Sequence, residues 1–93
     1  MQFRNRANQN INYNSPLTLQ TAPAGVPLQV TAIQAGHTAA ARLASMGIFP
    51  GETLRIVQRE NSGPILVEIK GTRIALGQGI SEKVLVSANG FAG

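Results

Sequence analysis

The 93-residue chain has no cysteine, no tryptophan and no aspartate, one histidine, and only 13% charged residues. Without cysteine there are no disulfides, no thiolate metal sites, no iron–sulfur clusters and no cysteine nucleophile. A secreted domain of this size usually carries disulfide staples, so their absence fits a reducing cytoplasm. Without aspartate there is no Ser/His/Asp triad and no aspartate-centred magnesium or calcium loop. The unbroken apolar runs are only a few residues long, far below the ~20 that span a bilayer. Arg4 and Arg6 are not followed by an apolar stretch, which argues against a signal peptide.

Apolar residues make up 43% of the chain, enough for a core and too many for a disordered polyelectrolyte. The mass of 9.8 kDa allows one small domain, with little room for an enclosed active site beside its core. Net charge is +4, so an anionic partner such as nucleic acid, an acidic protein face or a membrane leaflet is favoured electrostatically. Two of the arginines lie in the first six residues, which leaves the remainder only modestly basic.

The texture of the chain changes near residue 16. Residues 1–15 contain seven Asn or Gln and no periodic apolar face, and read as a disordered arm. Residues 16–87 carry the domain, and residues 88–93 read as a flexible tail of small residues. Pro23-Ala24-Gly25 reads as a turn into a strand over 26–33, with Val26, Leu28 and Val30 on one face. Pro27 has no N–H to donate and restricts that end to a strand start or an edge. Further strands are expected over 53–59, with Leu54 and Ile56 inward, over 65–70, with Ile65, Val67 and Ile69 inward, and over 84–86. Asn61 to Pro64 reads as a turn.

Between residues 70 and 76 the sequence predicts a hairpin. Gly71-Thr72 serves as a two-residue loop, placing Lys70 opposite Arg73, Ile69 opposite Ile74 and Val67 opposite Leu76. Gly77 to Glu82 reads as a short turn or helical turn, weakened by Gly77 and Gly79 at up to ~1 kcal/mol each relative to Ala. One helix is expected over 38–46, capped by Thr38 and docked through Ala40, Leu43 and Met46. Its exit is well specified. Gly47 falls at the left-handed position after the cap, Ile48 can touch Leu43, and Pro50 prevents continuation. Phe49-Pro50-Gly51-Glu52 has the pattern of a type II turn. Five short strands and one inserted helix make a mainly β, closed or nearly closed small barrel, and an exposed edge of it offers a route to a homo-oligomer.

No group of residues has the composition of a catalytic or metal site. His37 lacks an orienting carboxylate or a set of co-ligands and reads as solvent-exposed near the helix start. Met46 reads as core rather than ligand. Gly77-x-Gly79 lacks the rest of a dinucleotide or P-loop signature. The chain reads as a non-enzyme with no cofactor. The candidate partner-binding residues are Arg42 on the helix, Phe49 after it, and Lys70 and Arg73 at the hairpin tip. Leu66, Val57 and Phe49 point away from the expected core and would mark an interface if they form one patch.

The run Ala39-Ala40-Ala41-Arg42-Leu43-Ala44-Ser45-Met46-Gly47-Ile48-Phe49-Pro50-Gly51-Glu52-Thr53-Leu54 resembles the FeoA family. In that family an arginine- and leucine-bearing helix ends in Leu/Met-Gly-Ile/Phe-x-Pro-Gly. The resemblance continues through Gly63-Pro64-Ile65, residues 71–77 and Val84-Leu85-Val86, and upstream through 19–25 and 30–33, covering about 17–87. It implies a five-stranded SH3-like barrel with an inserted helix. It also implies a cytoplasmic accessory role in bacterial ferrous-iron uptake, docking on the GTP-binding permease FeoB rather than carrying iron. The Asn-rich arm and the triple alanine 39–41 depart from the family pattern. Two other roles suit a small basic barrel. One is nucleic-acid binding, against which the scarcity of aromatic residues counts. The other is divalent-metal sensing, since a related barrel forms a domain of some metal-dependent repressors.

Overall fold

The computed structural model describes residues 17–60 and 63–88. The arm at 1–15, Asn61 and Ser62 of the expected turn, and 89–93 of the tail lie outside the described residues. Six antiparallel strands and two helices follow in the order β1 (Leu17–Thr18), β2 (Pro27–Ile33), α1 (His37–Ser45), β3 (Thr53–Arg59), β4 (Ile65–Ile69), β5 (Thr72–Leu76), α2 (Gln78–Ser81) and β6 (Val84–Ser87). The five expected strands are present, joined by the two-residue β1. The strand order in the single sheet is β1-β6-β2-β3-β4-β5.

Alternation along each strand sends one face inward. Leu28 and Val30, Leu54 and Ile56, Ile65, Val67 and Ile69, and Val84 and Val86 meet in one buried core. Leu19 and Ala22 reach it from the β1–β2 connection, and Leu43 and Ile48 from α1 and its exit. Val26 is exposed, because the strand begins at Pro27 and its inward alternation starts only at Leu28. The register shifts between Val30 and Ala32 and between Ile56 and Gln58. Such bulges bend a strand and raise its local twist, the curvature a small barrel needs.

The β4–β5 hairpin differs from the expected register by two residues. Ile69 pairs with Thr72, Glu68 with Arg73 and Val67 with Ile74. The loop is therefore Lys70-Gly71, with φ of 50° and 83°. Two positive φ angles make a type I′ turn, whose twist matches the flanking strands. A shift of two keeps every side chain on its expected face. It also replaces the like-charged Lys70–Arg73 pair with Glu68 opposite Arg73.

Two long-range hydrogen-bond sets tie down the β1–β2 connection. The Arg59 guanidinium donates to the Leu19 carbonyl at 3.0 Å and to the Ala22 carbonyl. Gln20 Nε2 donates to Ser81 Oγ at 2.6 Å, and that hydroxyl donates in turn to the Gln78 carbonyl at 3.2 Å. Ser81, a fully buried polar side chain, is thereby satisfied.

Candidate docking surface

Helix α1 leads the candidate surface. Its N-cap is Gly36, two residues earlier than the expected Thr38, and no side chain caps it. Thr38 lies within the first turn. The Ala40 N–H bonds to the Gly36 carbonyl at 2.9 Å, so glycine takes the cap geometry and Thr38 is left exposed. The exit forms as expected. The Gly47 N–H bonds to the Ala44 carbonyl and the Ile48 N–H to the Leu43 carbonyl, both at 2.9 Å. This is the paired Schellman arrangement, with Gly47 at φ 94°. The Glu52 N–H then bonds to the Phe49 carbonyl at 3.1 Å, closing the turn with Gly51 at φ 98°.

Leu43 is the only buried residue of α1. Met46, expected in the core, is 36% exposed and lines a groove at the barrel surface beside Leu43. The helix therefore stands proud of the barrel with a groove along each flank. One groove, of about 460 Å³, is lined by Ile33, His37, Ala40, Ala44 and Phe49, among others. The other, of about 180 Å³, lies between Ala39, Arg42, Leu43 and Met46 on one side and Ala75, Leu76 and Ile80 on the other. His37 is exposed, as expected, and so is Phe49 at 41%. Phe49 lines the first groove with α1, while Val57 and Leu66 are half-buried residues of β3 and β4.

The charged candidates divide between these surfaces. Arg42 rims the second groove and has no carboxylate partner among the described residues. Lys70 at the hairpin loop reaches Glu52 at 3.5 Å, tying the tip to the turn after Phe49. Arg73 faces Glu68 across the hairpin, and Glu68 accepts from Arg55 at 2.5 Å. The Arg55 hydrogen bond holds the Glu68 carboxyl below its usual 4.5, helped by the charges of Arg55 and Arg73 and opposed by partial burial.

Arg42 lines this groove and Arg73 does not: Arg73 lies two residues along the same face of β5 from Ala75, which does. Phe49 and Lys70 belong to the other end of the surface. Sequence reasoning missed Arg59 and the Arg55–Glu68 pair, whose partners lie 37 to 40 and 13 residues away. The alternating charges of β3 and β4 were the only available signal for the latter. Among the described residues no group of three or more His, Asp or Glu is placed to hold a metal ion, and no helix is long and apolar enough to cross a membrane.

A family model described as the FeoA domain matches residues 17–88, most of the chain. The chain belongs to the FeoA family. A Methanocaldococcus jannaschii protein named as an Fe(2+) transport protein A is 37% identical to this FeoA chain over 75 residues, covering 81% of it and 90% of the relative. The zinc-bound FeoA of Stenotrophomonas maltophilia is described as a prokaryotic SH3 domain protein. It superposes with a TM-score of 0.66 at 31% identity, covering 77% of this chain and 91% of that one. This FeoA chain therefore has the SH3-like fold, with β1 as an additional short strand. Zinc-bound ScaR, at 24% identity and a TM-score of 0.70, covers 76% of this chain and 36% of its own, and shares the fold alone.

Proposed function

We propose that this FeoA-family chain is a cytoplasmic accessory module of ferrous-iron uptake that docks on the cytoplasmic part of a FeoB-type permease. The observation that carries the reading is a family domain filling most of the chain whose standing helix is flanked by two grooves, one edged by Arg42, which has no carboxylate partner among the described residues. The chain acts by binding rather than by catalysis. Its carboxylates Glu52 and Glu68 are engaged with Lys70 and Arg55, and its one histidine faces solvent. Arg42 and Phe49 contact the partner from the helix side, Lys70 and Arg73 from the hairpin.

The test is direct binding of the purified chain to the cytoplasmic part of the permease, followed by calorimetry or interferometry. Arg42→Glu weakens binding at least about tenfold, the equivalent of 1.4 kcal/mol, and lowers the melting temperature only slightly, because it puts an anion in place of a cation in the last turn of α1. Arg73→Glu also weakens binding, but lowers the melting temperature, because it faces Glu68 across the strands. Undiminished binding by both variants overturns the assignment of this surface. Failure of the wild-type chain to bind, with capture of nucleic acid instead, overturns the permease reading.

A further inference from the structure

Among the described residues one edge of the sheet is open. β5 stands last in the strand order and pairs only with β4. The type I′ turn closes on the Ile69–Thr72 pair, so the N–H and C=O groups of Thr72, Ile74 and Leu76 face β4. Those of Arg73 and Ala75 face outward, two donors and two acceptors with no backbone partner among the described residues. Unpaired strand edges are templates for a further strand. Here the edge adjoins the groove formed by Arg42, Leu43, Met46, Leu76 and Ile80.

We propose that the outer edge of β5 receives an extended, acidic segment of a partner protein, which adds to the sheet as a further strand. The proposal rests on the accessory-docking reading above and states how the partner is gripped. Main-chain hydrogen bonds to Arg73 and Ala75 hold the segment, its alternate acidic side chains fall on the face of Arg73 and Ala75 beside Arg42, and the apolar ones between them fall on the face of Ile74 and Leu76. Charge selects the occupant. Arg42 at the groove and Arg73 on the strand are both exposed cations, and no carboxylate lines the groove. A second copy of the chain, edge to edge, would set Arg73 close to its own counterpart, so an acidic segment is favoured over self-pairing.

The test reads amide hydrogen exchange at Arg73 and Ala75 in the full chain. The chain is measured alone, with the cytoplasmic part of the permease, and with synthetic peptides alternating Val with Glu or Val with Lys. Exchange at both amides slows at least about tenfold with the permease fragment or with the Glu peptide, and not with the Lys peptide. Ala75→Pro removes an outward N–H and spares the β4 ladder, and weakens the same binding about tenfold, the scale of one lost backbone hydrogen bond. Should that variant not fold, the wild-type exchange measurement decides alone.

If the permease fragment binds without slowing exchange and tolerates Ala75→Pro, the edge proposal falls and the docking reading stands. If the permease fragment does not bind at all and the Glu peptide alone slows exchange, the edge proposal stands and the permease reading falls. Slow exchange in the free chain, or protection that grows with protein concentration, overturns the proposal by showing the edge covered by the chain itself or by a second copy.

Discussion

Substituting two glycines by alanine separates backbone geometry from helix propensity within one small domain. Gly47 has φ 94°, and a Cβ built there meets nothing nearer than Ile69 Cγ2, at an ordinary contact of 3.8 Å. The cost of Gly47→Ala is therefore conformational, about 1–2 kcal/mol for an L-residue in left-handed backbone. The two hydrogen bonds at the helix exit and the burial of Ile48 depend on that conformation. Gly79 lies inside α2 with no positive φ and open space around its Cβ position. Gly79→Ala gains about 0.5–1 kcal/mol from helix propensity. In a domain of this size 1 kcal/mol moves the melting temperature by about 4–8 °C. Thermal melts followed by circular dichroism thus show a fall of about 4–16 °C for Gly47→Ala and a rise of about 2–8 °C for Gly79→Ala. Urea midpoints should move the same way with unchanged slopes. An unchanged Gly47→Ala midpoint would refute the claim that the left-handed exit holds the helix in place.

Three other perturbations probe separate features. Glu68 has its pKa lowered in the folded state, so its contribution to stability is complete above about 4.5 and is lost as pH falls through the folded value. Denaturation midpoints between pH 5 and pH 3 should therefore drop more steeply for the wild type than for Glu68→Gln, and parallel curves would discount the Arg55 contact. Arg59→Ala leaves the Leu19 and Ala22 carbonyls without their donor and costs about 1.5–3 kcal/mol, measured by urea unfolding. Gly36→Asp supplies the missing side-chain cap and a carboxylate at the start of α1, raising stability by about 0.5–1 kcal/mol in the same assay.

What the sequence disclosed was the part fixed by neighbours along the chain. The Met46-Gly47-Ile48 exit, the Pro50-Gly51 turn and the inward alternation of β3 and β4 each need only a few adjacent residues, and each formed as expected. The hairpin register escaped because Lys70 tolerates φ 50° beside Gly71, whereas glycine-first loops suggested a different turn. Cross-strand charge decided between two registers with identical faces, and local patterning does not weigh that. Met46 was misplaced for a related reason: the apolar stripe was extended through the cap residue, where helical geometry ends. Of the candidate surface, Arg42, Phe49, Lys70 and Arg73 are all exposed, but which of them adjoin follows from the order of strands. Arg59 gave no local sign at all, since its acceptors are carbonyls on the far side of the barrel's sequence.

Helix α1 hangs on the barrel by Leu43 and by the bonds of its own exit, its alanine flanks contributing little buried surface. A segment so held opens at a fraction of the free energy that unfolds the sheet, beginning at the uncapped Gly36 end. Its open and closed forms are then two populations of one folded protein. Any ligand that covers Met46 binds the closed population alone, and tightens the helix by mass action without altering the barrel. Affinity at this surface is therefore adjustable from within the helix, by residues that never touch the partner.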